Sequence, residues 1–155
     1  MISKSTKYQF EIQRDWHLID AGSGNLGRIS SQAAKILQGK HKAVYSPQAD
    51  TGDFIIIVNT KYLKVSHPTK WDDKMYHKYS GYPGGLYSTS LKEMVEKDPN
   101  KVFEKAISRM LPKNKLRAKM MNRLKLFSEY QEGRELWESM KKRKIQVKDN
   151  PKSKK

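Results

Sequence analysis

Three sets of residues in this chain have the types and spacing to do chemistry. The first is Gly22-Ser23-Gly24-Asn25-Leu26-Gly27, a G-x-G-x-x-G between an apolar run and a helical one. In dinucleotide-binding enzymes such glycines let backbone N–H groups cradle a pyrophosphate. That chemistry also needs an acid at the end of the second strand to hold ribose. Here Asp50 and Asp53 come before the apolar run Phe54–Val58, whose end is Asn59-Thr60. The acids are on the wrong side, and Arg28 stands where an apolar helix entry is usual. The same glycines fit a tight turn beside an RNA phosphate.

The second set is Asp50-Thr51-Gly52-Asp53. Two carboxylates three residues apart suggest acid–base work or a metal site. No histidine or third carboxylate is near them in sequence, so a turn is expected, its Asp side chains bonding to nearby amides. His17, His41, His67 and His77 are scattered without an i,i+4 pair. The chain has no cysteine, which excludes a thiolate nucleophile, a disulfide framework and cysteine-ligated zinc.

The third set is cationic. Lys113, Lys115, Arg117, Lys119, Arg123 and Lys125 follow one another with no acid from Lys113 to Ser128. Leu116, Met120 and Leu124 recur every four residues and Met121 widens the stripe. The spacing predicts a helix anchored by this face that presents a fixed array of charge. Solvated helix faces normally mix signs, whereas an uncompensated one suits an anionic polymer or membrane surface. Gly39-Lys40-His41-Lys42 adds cations that suit a helix C-terminus and can reach a phosphate. Tyr76-His77-Lys78 leads into a glycine loop containing Tyr82, Gly84 and Gly85. Such a mixture binds looped RNA by stacking and phosphate contact. Arg28 completes the expected RNA-contacting set.

Composition agrees with that reading. The chain carries 32 Lys+Arg against 16 Asp+Glu, a net +16 on 155 residues. The resulting self-repulsion is relieved by a polyanion. A hydrophobic fraction of 36% suffices for one modest core, so one domain with extensions is expected. No apolar run approaches membrane-spanning length, and no signal-peptide hydrophobic stretch follows Met1.

The elements that must position these residues can be read in order. Trp16–Ala21 is a short strand, and Leu26, Ile29, Ala33, Ile36 and Leu37 mark a helix that Gly39 ends. Phe54–Val58 suits a strand buried on both faces. Tyr62–Ser66 alternates and is expected as another strand, with Leu63 and Val65 inward. Met75–Tyr79 is a fourth extended segment. Ser90-Leu91-Lys92-Glu93 fits a capping box, and Asp98-Pro99 starts the next helix. Val102, Phe103, Ala106, Ile107 and Met110 form its apolar stripe, which Pro112 stops. Leu136, Trp137 and Met140 suggest a small helix after Gly133. Lys141–Lys155 reads as a basic tail that stays disordered until a partner orders it.

Four motifs, in this order and spacing, carry a resemblance. They are W-H-L-I-D-A-G-S-G-N-L-G-R from Trp16, G-K-H-K-A-V-Y from Gly39, D-T-G-D from Asp50, and M-L-P-K-N-K-L-R with N-R-L-K-L from Met110 to Leu126. Together they resemble the L-thirteen family of large-subunit ribosomal proteins, of bacterial and organellar type, over about Arg14 to Phe127. At Ser66-His67-Pro68 the chain departs from the family's Thr-Gly turn. The resemblance implies a three-layer α/β/α domain with a central sheet of about four strands. It implies large-subunit ribosomal RNA and neighbouring ribosomal proteins as partners, a role in subunit assembly and translation, no cofactor and no catalysis. Expected boundaries are an arm over 1–14, the domain over 15–127 and a basic extension over 128–155. The extension and the Lys113–Arg117 variant resemble mitochondrial members, with another organelle or the bacterial cytoplasm as the alternative. Two other functional classes remain at this point: a nucleotide-dependent oxidoreductase, resting on the glycine turn, and a basic interaction or membrane-surface adaptor.

Overall fold

In a computed structural model, residues 13–148 are described, with side chains described through Lys141. Three parallel strands form the central sheet in the order β1 (Trp16–Asp20), β2 (Phe54–Val58), β5 (Leu124–Leu126). The register pairs His17 with Ile55 on one side of β2 and Ile55 with Leu124 on the other. The continuous β-branched run of β2 therefore sits centrally, where both faces must be covered. Ile55 and Ile57 face the main core, together with Ile19, Leu37, Phe103 and Ile107. Ile56 and Val58 lie on the opposite face, against Gly133. Each fully buried isoleucine is worth about 1.5–3 kcal/mol of transfer free energy.

Two helical layers do the covering. α1 (Leu26–Gln38) follows β1 and packs on β2, and α4 (Pro99–Met110) packs against α1 over the same core. α1 ends where Gly39 turns left-handed at φ 80°, its N–H donating to the Ile36 and Lys35 carbonyls. α4 begins at Asp98, whose carboxylate accepts from the N–H groups of Asn100 and Lys101, with Pro99 in the first turn. α3 (Leu91–Lys97) precedes it and is capped by Ser90, which accepts from the Glu93 amide. On the far face of the sheet α6 (Tyr130–Lys148) packs against β1 and β2. It begins ahead of Gly133 and is far longer than the small helix expected after that residue. A Cβ on Gly133 would stand 2.2 Å from Val58 Cγ1, so glycine is what lets α6 approach the sheet.

Three expectations about strands need correction. Tyr62–Ser66 is not a strand: Thr60–Tyr62 is a 3-10 turn, and only Lys64 forms a bridge, with Asn25. Leu63 is buried as expected, because it packs from a loop. The basic helix is shorter than its stripe suggested. α5 covers Leu116–Asn122, and the chain then enters the sheet as β5, so Leu124 anchors a strand. The central sheet thus has three strands. β3 (Met75–Tyr79) pairs antiparallel with β4 (Leu86–Ser90) in a separate hairpin, beside the one-turn helix α2 (Lys70–Asp73). The segment from Leu86, expected as loop, supplies that second strand. Residues 1–12 and 149–155, with most of the expected arm and the end of the expected tail, lie outside the described residues.

Candidate nucleic-acid interface

The residues expected to contact RNA divide into two groups, one turned inward and one outward. Asp50 and Asp53 cause the division. The Asp50 carboxylate accepts from both terminal nitrogens of Arg123, at 2.6 and 2.5 Å, and from Arg14 at 3.3 Å. Arg123 is 5% exposed and also donates to the Leu37 carbonyl, at 3.3 Å. Its fork clamps the D-T-G-D loop to the end of α1, a geometry that lysine cannot supply. Asp53 is fully buried, and one oxygen accepts from His17 Nε2 at 2.9 Å and His41 Nε2 at 2.8 Å. The other accepts from Lys42 Nζ and, at 3.1 Å, from the Asp15 amide. Burial pushes the Asp53 carboxyl up, but hydrogen bonds from Lys42 and His17, the Lys42 charge and the His41 hydrogen bond outweigh it and hold it below its ordinary value.

Together the two acids tie the entry to β1, the turn after α1 and the start of β5 into one clasp. They are not the local Asx-type turn expected from sequence, because their partners come from distant segments. His17, His41 and Asp53 place three potential metal-ligand atoms within 4.8 Å of one another. Lys42 already neutralises this carboxylate, and both imidazoles hydrogen-bond it, so the donor set is satisfied as a hydrogen-bonded clasp. Gly52 lets the loop close: a Cβ there would lie 1.8 Å from the Leu37 carbonyl oxygen.

Arg123 and Lys42 therefore serve the fold through this clasp, while His41 bonds Asp53 and stays exposed. Tyr76 is also corrected. It is 3% exposed, with Lys74, Lys105 and Arg109 standing 5.2–5.6 Å from its ring centroid, so it cannot stack on a base.

The outward group is coherent. Lys113, Lys115, Lys119 and Lys125 are exposed and Arg117 is half-buried. Leu116 packs on the core and Met120 is buried, so α5 holds this array by its apolar face. Lys40 and Asn114 line one cleft of ≈ 300 Å³ with Tyr45, Pro47 and Pro112. The G-K-H-K turn and the α4–α5 connection thereby share a surface. Arg28 lines a second cleft, of ≈ 380 Å³, with Asn25, Gly27, Lys70 and Lys74. In the hairpin, His77 and Lys78 are exposed, and the turn presents Tyr79, Tyr82, Leu86 and Tyr87 at 61–76% exposure. Gly84 holds φ 72°, and a Cβ on Gly85 would stand 1.9 Å from Ser80 Oγ. None of these outward cations is paired with a carboxylate at salt-bridge distance among the described residues.

The glycine turn is occupied by the chain itself. Asp20 at the end of β1 accepts from the Gly22 amide and from Asn59 Nδ2, both at 2.9 Å, and the Leu26 amide donates to the Lys64 carbonyl at 2.8 Å. The end of β2, where a ribose-holding acid is required, carries Asn59 in this network.

The profile of the family described as Ribosomal protein L13 matches residues 14–132. The chain belongs to this family. The large ribosomal subunit protein uL13 of Nocardioides sp. is 50% identical over 118 residues, covering 76% of this chain and 80% of its own length. That of Herminiimonas arsenicoxydans is 49% identical over 119 residues, covering 77% and 83%. That of Kocuria rhizophila is 48% identical over 118 residues, covering 76% and 80%. The L13 match takes in both halves of the clasp, the hairpin and α5, and ends within the first turn of α6.

Sequence reasoning missed Lys70, Lys74, Lys105 and Arg109. The pairs Lys70/Lys74 and Lys105/Arg109 are 31 residues apart at their nearest, and only the hairpin's docking on α4 brings Lys74 beside Arg109. The one available signal was the acid-free stretch from Lys74 to Lys92.

Proposed function

We infer that this chain is a structural component of the large ribosomal subunit that binds ribosomal RNA through its outward cations and exposed tyrosines. The observation that carries the reading is the sorting of charge. Arg14, Lys42 and Arg123 are neutralised inside the clasp, while Lys40, Lys113, Lys115 and Lys119 are exposed with no carboxylate at salt-bridge distance among the described residues. Such an arrangement serves a polyanion whose phosphates supply the missing counter-charge. Its relatives carry the name of large ribosomal subunit proteins, which fits.

The membrane-surface alternative loses its support because the apolar face of α5 is buried, leaving no lipid-facing stripe. The oxidoreductase alternative loses its support because the glycine turn is bonded internally. As to compartment, the basic stretch beyond residue 132 supports a mitochondrial ribosome, and the bacterial relatives support the bacterial cytoplasm. Imaging of the tagged chain in its own cells separates the two.

The RNA reading is tested with purified protein and a large-subunit ribosomal RNA transcript. Six to ten contacted phosphates would give an affinity that falls about 10³–10⁵-fold between 50 and 200 mM salt. A flat plot of log K against log salt contradicts the reading.

A further inference from the structure

We propose that Lys74, Lys105 and Arg109, gathered round Tyr76, form a discrete clamp for one RNA phosphate group. The inference rests on the RNA reading and names a site within it. Lys74 comes just before β3, while Lys105 and Arg109 are one turn apart on the same side of α4. Their charged heads stand 5.6, 5.2 and 5.6 Å from the centroid of a single ring. Attraction to the ring helps to hold each of them but does not cancel their mutual repulsion. None has a carboxylate at salt-bridge distance among the described residues. Glu104 lines the same α4 groove with Lys101, Lys105, Ser108 and Arg109 but pairs with none of them.

A second observation at the same place points to a missing acceptor. Tyr76 is 3% exposed, and its hydroxyl has no hydrogen-bond partner among the described residues. A buried hydroxyl without a partner is costly, and three cations round the same ring make an anion the fitting complement. Burial, and then the charges of Arg109 and Lys70, lower the Lys74 ammonium below its ordinary value, a sign of crowded like charge. Lys74 also lines the cleft that holds Lys70 and Arg28, so the clamp continues toward the start of α1. A phosphodiester has the charge and the acceptor oxygens for this place, and a free phosphate shares that chemistry.

The test compares two double variants that remove equal charge. Lys105→Gln with Arg109→Gln empties the clamp; Lys92→Gln with Lys97→Gln removes two exposed charges from α3. Binding to the large-subunit RNA transcript is measured across salt for both variants and for the unmodified chain. If the clamp holds one phosphate, the first pair makes the slope of log K against log salt shallower by about 0.7–0.9, and the α3 pair leaves it unchanged. Equal slopes for the two pairs overturn the proposal while leaving RNA binding established. No binding by the unmodified chain overturns the RNA reading itself. Inorganic phosphate is titrated separately, with the Tyr76 ring resonances followed by NMR. A phosphate-dependent shift that the first pair abolishes, with no change in the RNA slope, assigns the clamp to a free anion and overturns the RNA assignment.

Discussion

Asp53 shows how much a single carboxylate decides. Its carboxylate is buried, so ionising it is unfavourable until Lys42, His17 and His41 converge on it. The folded value is therefore depressed relative to the unfolded chain. Its contribution to stability is fully present above the unfolded value, about 3.9, and is lost as pH falls through the folded value. Asp53→Asn should cost about 3 kcal/mol at pH 7, because it strands the Lys42 ammonium. The gap from the unmodified protein should narrow at pH 3. Urea midpoints at both pH values check this, and a gap that stays constant with pH contradicts it. Arg123 behaves alike: a charge reversal there sets a second carboxylate against Asp50, so it tests folding and not RNA binding. Sequence could not show this site. Asp53 is 36 residues from His17 and 12 from His41. One hint was a histidine inside an apolar strand with an acid just before the next, since parallel pairing sets such neighbours side by side.

At the scale of elements, the helix ends were legible and the strand pairings were not. Gly39, Ser90 and Asp98 act locally, each satisfying N–H or carbonyl groups of its own helix, so the sequence alone suffices for them. β5 escaped because Leu124 continues a four-residue spacing from Leu116 and Met120. Leu124-Lys125-Leu126 also alternates, and only β2, which needs a partner on its second edge, selects the strand. Tyr62–Ser66 failed for the opposite reason: it alternates, yet its start is wound into a 3-10 turn and its pairing among the described residues is the single Asn25–Lys64 bridge. The glycines separate local from long-range demands in the same way. Gly52→Ala would force a Cβ onto the Leu37 carbonyl and should destabilise by about 2–3 kcal/mol. Gly27→Ala meets nothing within 4 Å inside α1 and should stabilise by about 0.5 kcal/mol. Thermal melts of the two variants should move in opposite directions. A melt of Gly27→Ala well below the unmodified chain would show that the third glycine of the motif has a role beyond the turn.

For the whole molecule, the governing fact is a net +16 that the fold sorts without neutralising. The buried clasp pairs Asp50 and Asp53 with Arg14, Lys42 and Arg123, and the exposed cations are left on rigid supports. Preorganisation matters here, since Leu116 and Met120 already hold α5 on the core and little backbone freedom is left to lose when RNA binds. Charge count alone would rank the basic C-terminal residues high; geometry ranks α5 and its approach higher. The decisive measurement is a sucrose gradient of lysates from cells in which a tagged chain replaces the endogenous protein. It compares the unmodified chain, Lys113→Glu with Lys115→Glu and Lys119→Glu, and a chain ending at Met140, which loses eight Lys/Arg. The unmodified and shortened chains should sediment with large-subunit particles, and the triple variant, folded by circular dichroism, should stay at the top. A triple variant that remains in the particles while the shortened chain leaves them would contradict the account.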